Sequence, residues 1–388
     1  MREDSFLNLF VAEGTELFSL IGLAVLVTLF VVQLCYYIAV YGRISRHKNP
    51  SPSPEAQELG LSVIIPLYDA DNGFLHERLP LFLAQRHKNY EVVVVNVTGD
   101  QEVAEQLSLM RIKYGERLTT TRLAADPLMP ISTKMALNVG IKAARYDNLF
   151  FTLPDCSPRT ERWAEVMARG FVGHDIVLGY TSILPRKGLF SKTIRCANQA
   201  LATRWLSFAV RRRTHRGDLS NLGFTKKIYF GARGFNHLNL NMGEDDLFVQ
   251  KITTRENAVA IMGGSATLDR RAWGGLEWWL PRRMKLSYPF HFYPARVRWG
   301  TTIELLSRAL FFLCAIILAV ILPLYGKILV GGLVVLRYIL VWWQSKRISR
   351  RLSERGFLSG YWLYDLVAPI VEATMAVWRR FVPKYKWR

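Results

Sequence analysis

A chain of 388 residues with 51 lysines and arginines against 31 aspartates and glutamates carries a net charge of +20, so its partners are anionic. Half of its residues are hydrophobic, and long apolar runs lie near both ends. Nucleic acid, anionic lipid and nucleotide phosphates all fit the charge, and the apolar runs favour lipid headgroups over nucleic acid, whose soluble binders need no such runs. The four cysteines, Cys35, Cys156, Cys196 and Cys314, show no C-x-x-C spacing, which argues against a zinc site and a disulfide framework.

Residues 17–40 (LFSLIGLAVLVTLFVVQLCYYIAV) hold no charged side chain. At ~1.5 Å per residue such a helix crosses the ~30 Å hydrocarbon core with residues to spare. Glu13 and Glu16 stand where the basic region of a signal peptide belongs, and no small-x-small cleavage site follows, so the segment reads as an anchor. Arg43, Arg46, His47 and Lys48 come next, which puts the N-terminus outside and the chain from Gly42 onward in the cytosol.

From about residue 59 to 301, short β-branched runs alternate with helical stretches. Strands are expected at 61–68 (LSVIIPLY), 90–97 (YEVVVVNV), 118–123 and 148–155 (NLFFTLPD), with helices at 74–85, 102–114 and 132–145. This alternation means parallel pairing with crossover helices, an α/β sheet covered on both faces. Ligands of such sheets bind beyond the carboxyl ends of the strands, which places residues 66–71, 96–100 and 155–157 along one rim. There is no G-x-G-x-x-G and no Walker A sequence, so dinucleotide and P-loop readings fail.

Asp155 ends the fourth run, before Cys156, Ser157 and Pro158. A carboxylate there can hold a divalent cation against a diphosphate, or simply form an Asp-x-Ser-Pro turn. The stretch 184–217 interleaves Lys187, Lys192, Arg195, Arg204, Arg211, Arg212, Arg213 and Arg216 with apolar residues, a pattern that suits a helix lying on anionic lipid. Glu244, Asp245 and Asp246 stand in a row; one can serve as general base, or all three can be solvated acid at a helix start. Trp273, Trp278 and Trp279 precede Arg282 and Arg283, a set that suits sugar stacking with diphosphate binding and equally a membrane-interface belt. A second apolar region, 305–343, is broken by Pro323, Gly326 and Lys327 and has the length of a hairpin of two crossings, followed by the basic run 346–355. Asp365 and Glu372 lie seven apart in 357–378, between two basic flanks, which predicts an interfacial or re-entrant helix with its acidic face to water.

The order of these motifs resembles a family 2 glycosyltransferase of the inverting type with the GT-A fold, similar to membrane-anchored members of the Bacteroidetes. The resemblance spans roughly residues 61–310. SVIIPLYDAD (62–71) is similar to the family's first strand and uracil-side loop, and LPLFLAQRHKNYEVVVVN (79–96) to its following helix and base-binding strand. STKMALNVGIKAARYDNLFFTLPDCSP (132–158) looks like the lysine-containing helix leading to the DxD strand, and DLSNLGFTKKIYFGARGF (218–235) like the acceptor-side segment. GEDDLFV looks like the base-bearing segment, and WGGLEWWLPRR occupies the place of the Q-x-x-R-W helix. Three departures stand out: Leu153 replaces the first Asp of DxD, the second strand ends in Asn96-Val97, and Arg282 and Arg283 only approximate the last motif.

The resemblance implies an α/β GT-A domain (57–301), Rossmann-like with a mostly parallel sheet. An N-terminal anchor (1–45), a transmembrane hairpin (302–345) and a basic linker, interfacial helix and tail (346–388) complete it. It implies sugar transfer with inversion from a UDP- or GDP-sugar to a lipid-linked or glycan acceptor, at the cytosolic face of a bacterial inner membrane, in cell-envelope polysaccharide assembly. Asp155 would hold Mg²⁺ or Mn²⁺. Pro66, Tyr68, Asp69, Asn96, Lys134, Trp279, Arg282 and Arg283 would contact the nucleotide sugar. Alignment on Leu247 makes Glu244 the base, and alignment on the Glu-Asp pair makes it Asp245; Asp246 completes the set. A non-catalytic family member acting as a membrane scaffold is the alternative, whereas a pore-forming synthase would need more crossings.

Overall fold

The computed structural model describes residues 16–69, 73–123, 132–188, 190–235 and 244–381, with Glu244 and Asp245 described in their backbone alone. Helix α1 (Glu16–Arg46) is continuous. After Glu16 it is uncharged up to Arg43, so in lipid its backbone must satisfy its own hydrogen bonds, as a helix does. Over Tyr36–Tyr41 it widens into a π-helical turn. There the Tyr36 hydroxyl donates to the Gly300 carbonyl (2.7 Å) and the Tyr37 hydroxyl to Asp365 Oδ1 (3.2 Å), tying the anchor to the C-terminal helices.

Strands β1 (Leu61–Leu67) and β2 (Tyr90–Asn96) are buried at every position, as expected of strands covered on both faces. With β3 (Leu118–Arg122) and β4 (Asn148–Phe151) they form the parallel run β3-β2-β1-β4. Pro66 fits inside β1 because the strand's alternation turns it toward β4, beyond Ile64 where that pairing ends, so no ladder bond is lost. Helix α2 (Gln101–Tyr114) is capped by Asp100, which accepts from the Glu102 and Val103 amides, and α3 (Thr133–Ala143) by Ser132, which accepts from Met135. Helix α3 packs closely on the sheet at Gly140, where an added Cβ would come within 2.4 Å of Ile64 Cγ2.

The fourth strand stops at Phe151, four residues before the position the sequence suggested. Pro154 has no N–H to continue a ladder, the chain turns with Cys156 N donating to Leu153 O at 3.0 Å, and Asp155 stands at the turn. From there the chain builds β5 (Cys156–Pro158), α4 (Trp163–Ala168), β6 (Ile176–Leu178), β7 (Thr181–Ile183), α5 (Ser191–Val210), β8 (Leu222–Thr225), α6 (Lys226–Gly231), α7 (Glu244–Ile252), β9 (Ala258–Ala260), β10 (Leu268–Arg270) and α8 (Leu276–Ser287). Strand β8 runs antiparallel between β4 and β6, and β9 lies parallel to β6 at the edge. A second sheet, β5-β10-β7, stands beyond the end of β4.

Helix α5 corrects one expectation. Most of it is buried, including Arg195 and Arg204, so it is an internal strut and not a helix lying on lipid. Arg195 pairs with Glu354 at 3.1 Å, and Arg204 pairs with Glu372 at 2.6 Å. Those two cations are therefore neutralised inside the protein.

Helices α9 (Ala295–Ile321) and α10 (Leu324–Arg351) form the hairpin, and with α1 they are the three described helices long and apolar enough to cross a membrane. The basic residues 346–351 are the last turns of α10 and not a linker. The last helix, α11 (Tyr361–Phe381), also departs from expectation: its acidic face turns inward. Asp365 is fully buried against Arg337 (2.5 Å) and Arg308 (3.2 Å), and Glu372 against Arg204 and Arg283. A buried carboxylate with two guanidiniums costs far less than one without, whereas a lone charge at that depth is costly.

Removing one partner of this cluster leaves uncompensated charge. Asp365→Ala, which strands Arg308 and Arg337, is expected to lower stability by about 3–5 kcal/mol. Thermal unfolding of the detergent-solubilised chain measures it, and an unchanged midpoint would count against the interlock.

Candidate active site

The rim at the carboxyl ends of β1, β2 and β4 carries several of the residues singled out in the sequence. Asp69 is exposed just past β1 and Tyr68 is half-buried beside it. Asn96 ends β2 opposite Leu67, buried, its Oδ1 accepting from the Thr98 amide (3.0 Å) and hydroxyl (2.8 Å). Lys134 lies in the first turn of α3, half-buried.

Asp155 lies in a cleft of about 620 Å³ that it shares with Ser157 and Asp269 on the small sheet, Arg271 and Trp273 after it, Glu77 and Arg78 across from it, and Arg186. Register explains the grouping: β10 pairs antiparallel with β5, setting Asp269 opposite Ser157 and Arg270 opposite Cys156. Arg78 reaches over the turn and donates from Nε to the Pro154 carbonyl at 2.6 Å. Arg271 donates its backbone N–H to the Asp155 carbonyl at 2.9 Å and its Nη1 to Glu77 at 3.2 Å. The Trp273 ring lies beside both guanidiniums, its centroid 5.6 Å from Arg78 and 4.7 Å from Arg271.

Each acid facing this cleft from the small sheet has its own arginine. The buried Arg270 places Nε 3.0 Å from Asp155 Oδ1 and 2.9 Å from Oδ2. Burial opposes the charge on Arg270, but Asp155 overrides it and raises the guanidinium pKa. Asp269 is held by Arg159 through Nε, at 3.1 and 3.0 Å, and through Nη2. Cys156, also beside Arg270, is pushed well up by burial and stays a thiol. Leu153, in the place of a first carboxylate, packs against the core.

These contacts test the expected Mg²⁺ or Mn²⁺. Asp155 is one carboxylate already neutralised at hydrogen-bond distance, and among the described residues no three His, Cys, Asp or Glu side chains cluster as metal ligands. The described residues, one carboxylate shared with Arg270, do not by themselves fit a resident divalent cation.

The other sequence candidates fall outside this cleft. Trp279 is half-buried against the larger core, and Arg282 lies 5.9 Å over the Trp278 ring. Arg283, expected at the donor, is buried and bonded to Glu372, so its charge is engaged elsewhere. Asp246 is likewise not a free base. It is 2 % exposed, pairs with Arg216 Nε at 3.3 Å and accepts from the Tyr293 hydroxyl. The side chains of Glu244 and Asp245 lie outside the described residues. Arg270, Arg271, Arg159 and Arg78 went unread in the sequence, because their partners are 75 or more residues away in the chain and only the two sheets bring them together.

A second cavity, about 350 Å³ and mostly apolar, lies between α5, α8, α9 and α11. His215 lines it, its ring edge-on to Phe208 and Tyr293 at 5.1 and 5.0 Å. Burial, aided by the neighbouring Arg216, pushes its pKa down to about 3.

No protein-family model matches the sequence, and no curated protein matches it. Among solved structures, the chain is similar to a mannosyltransferase from Pyrobaculum calidifontis in complex with GDP-Man and Mn²⁺, with 14% identity, a TM-score of 0.57, and coverage of 89% of this chain and 98% of that one. A TarS structure from S. aureus, residues 1–349 in complex with UDP-GlcNAc, shares 15% identity over 79% of this chain and 92% of that one, with a TM-score of 0.41. A second TarS structure gives 16% identity, 66% and 43% coverage and the same TM-score. At this identity the first match shows a shared fold; the TarS scores carry no argument.

His215 gives the site a pH signature. Its folded pKa, about 3, lies below the unfolded 6.5, so the unfolded chain binds the extra proton in between. Stability is whole above pH 6.5 and falls by about 1.4 kcal/mol per unit as pH drops toward 3. His215→Phe keeps the ring packing and is expected to flatten the melting curve's pH dependence between 6.5 and 4.5. Identical slopes for the two chains would refute it.

Proposed function

We propose that the chain is a membrane-bound glycosyltransferase that moves a sugar, with inversion, from a nucleoside-diphosphate donor to a lipid-linked or glycan acceptor at the cytosolic membrane face. The observation that carries this reading is the cleft itself. It lies beyond the carboxyl ends of parallel strands, where ligands of such sheets bind, in a chain that shares the fold of a solved mannosyltransferase.

The donor diphosphate sits against Arg78, Arg186 and Arg271. Asp155 and Asp269 are paired with Arg270 and Arg159, so these three guanidiniums face one further carboxylate, Glu77, which pairs with Arg271, and the cleft keeps more cations than anions. Trp273, beside two of them and about half exposed, offers aromatic surface to the base or sugar. Asp155, its charge balanced, accepts from hydroxyls of the donor sugar. Tyr68, Asp69 and Asn96 line the nucleoside end, at the tips of β1 and β2, and Lys134 stands near them on α3. Asp245 or Glu244 takes the proton of the acceptor hydroxyl. The freed oxygen attacks the anomeric carbon as its bond to the β-phosphate oxygen breaks, and the nucleoside diphosphate leaves with that electron pair. A divalent cation, which the sequence led one to expect at Asp155, would have to displace Arg270, so no step is routed through it.

Calorimetric titration with UDP- and GDP-sugars tests the reading. Arg271→Ala is expected to weaken donor binding about tenfold, or ~1.4 kcal/mol. Asp245→Asn should leave binding intact while lowering turnover by a factor of about 10² or more; that loss in Glu244→Gln alone would move the base to Glu244. Donor affinity in EDTA should stay within about threefold of that in Mn²⁺, and a larger drop returns the cation to Asp155. Binding without transfer to any membrane extract would favour the non-catalytic scaffold, for which the missing carboxylate at Leu153 speaks.

A further inference from the structure

The second cavity is not part of the donor cleft, yet it leads toward the proposed base. At one end it is lined by Arg216 and Tyr293, the two residues that hold Asp246, next in the chain to Asp245. At the other it is bounded by Leu305, Leu306 and Ala309 of α9 and by Ala373 and Ala376 of α11. Leu306 belongs to an exposed apolar stripe on α9 with Ile303, Leu310 and Leu313, the face a crossing helix turns to lipid. The cavity therefore opens sideways into hydrocarbon.

Its charged lining is one-sided. Arg204, Arg216, Arg283 and Arg379 line it against a single carboxylate, Glu372. Arg204 and Arg283 share that carboxylate, Arg204 also reaches Glu304 at 3.7 Å, and Arg216 has Asp246. Arg379 has no ion-pair partner among the described residues; it donates to the Ser287 carbonyl at 2.9 Å and lies 4.8 Å over the Phe290 ring. An apolar cavity lined by one guanidinium without an ion pair is complementary to a long hydrocarbon chain that carries a phosphate.

We infer that this cavity holds a long-chain lipid phosphate, the membrane-embedded end of the acceptor. Its chain lies between α9 and α11, its phosphate meets Arg379, and the group it carries is presented toward the segment bearing Asp245. This rests on the glycosyltransferase reading for the acceptor role, while the binding site stands on its own lining.

The test uses the full chain in detergent, with dodecyl phosphate as probe, read by native mass spectrometry and tryptophan fluorescence. Dodecyl phosphate should bind at least tenfold more tightly than dodecanol. Ala376→Trp, which fills the tunnel, and Arg379→Gln, which removes the uncompensated charge, should each weaken it about tenfold and leave nucleotide-sugar binding unchanged. Transfer of labelled sugar into the lipid fraction should fall at least tenfold in Ala376→Trp, while transfer to a short water-soluble acceptor holds. Equal binding of dodecanol, or undiminished probe binding in both variants, overturns the site. Undiminished lipid transfer in Ala376→Trp with weakened probe binding overturns the acceptor role and marks the occupant as a resident phospholipid. A wild-type chain that binds the probe but no nucleotide sugar would sink the enzyme reading alone.

Discussion

Buried charge near the membrane is the constraint around which the molecule is arranged. Glu304, Arg308, Arg337 and Asp365 are all nearly or fully inaccessible, on three different helices. None can be left alone in a low-dielectric setting, so each dictates the position of the others. Arg337 binds Asp365 and also Gln33 of α1 at 3.1 Å, and Gln33 donates to the Glu304 carbonyl and to Ser307. Arg204 of α5 then carries the network into the α/β domain, reaching Glu372 at 2.6 Å and Glu304 at 3.7 Å. Four C-terminal and N-terminal helices and the central strut of the domain are thus held in one register by groups that have no tolerable alternative.

That network also fixes a height. Gln33 lies about 13 residues from the domain-side end of α1, Arg308 a similar distance from the start of α9, and Arg337 from the end of α10, each ~20 Å at ~1.5 Å per residue. Beyond this layer the hairpin helices keep about 13 residues each, uncharged but for Lys327, or ~20 Å, which is shorter than the ~30 Å hydrocarbon core. In a chain whose three apolar helices cross a bilayer, a layer at that height would fall within the hydrocarbon, with α8 and α11 beside it.

How much of this was legible follows from the range of the interactions. Strands β1, β2 and β4 were, because buried parallel strands read as continuous apolar runs, and α2 and α3 were, because 102–114 and 132–145 read as helical stretches. The three-residue strands β5, β7 and β10 were not, since three residues show no period, and they build the floor of the cleft. The seven-residue spacing of Asp365 and Glu372 correctly placed both on one face of α11. Which way that face turned depended on Arg337, Arg308, Arg204 and Arg283, and on the fact that two of these lie inside segments that read as membrane spans. An arginine in the middle of an apolar helix is itself the signal, because it must have a buried partner somewhere. Asp246 illustrates the opposite limit: three acids in a row look solvated, and only the fold shows that the third is committed to Arg216 and Tyr293.

The two cavities are joined by a short piece of chain. In residues 215–218, His215 and Arg216 line the apolar tunnel, whereas Asp218 acts on Arg270 and Cys156 behind the donor cleft. Asp218 in turn is fixed by Ser220, whose amide donates to it at 3.0 Å and whose hydroxyl reaches Thr181 of β7 at 2.8 Å. A shift of this segment cannot move one site alone, since Arg216 is locked to Asp246 on one side and the small sheet holds Asp218 on the other. The charge pairs that tie the domain to the apolar helices therefore also set the spacing between the second cavity and the cleft, so the position of those helices fixes where the cavity lies relative to the rim of the sheet.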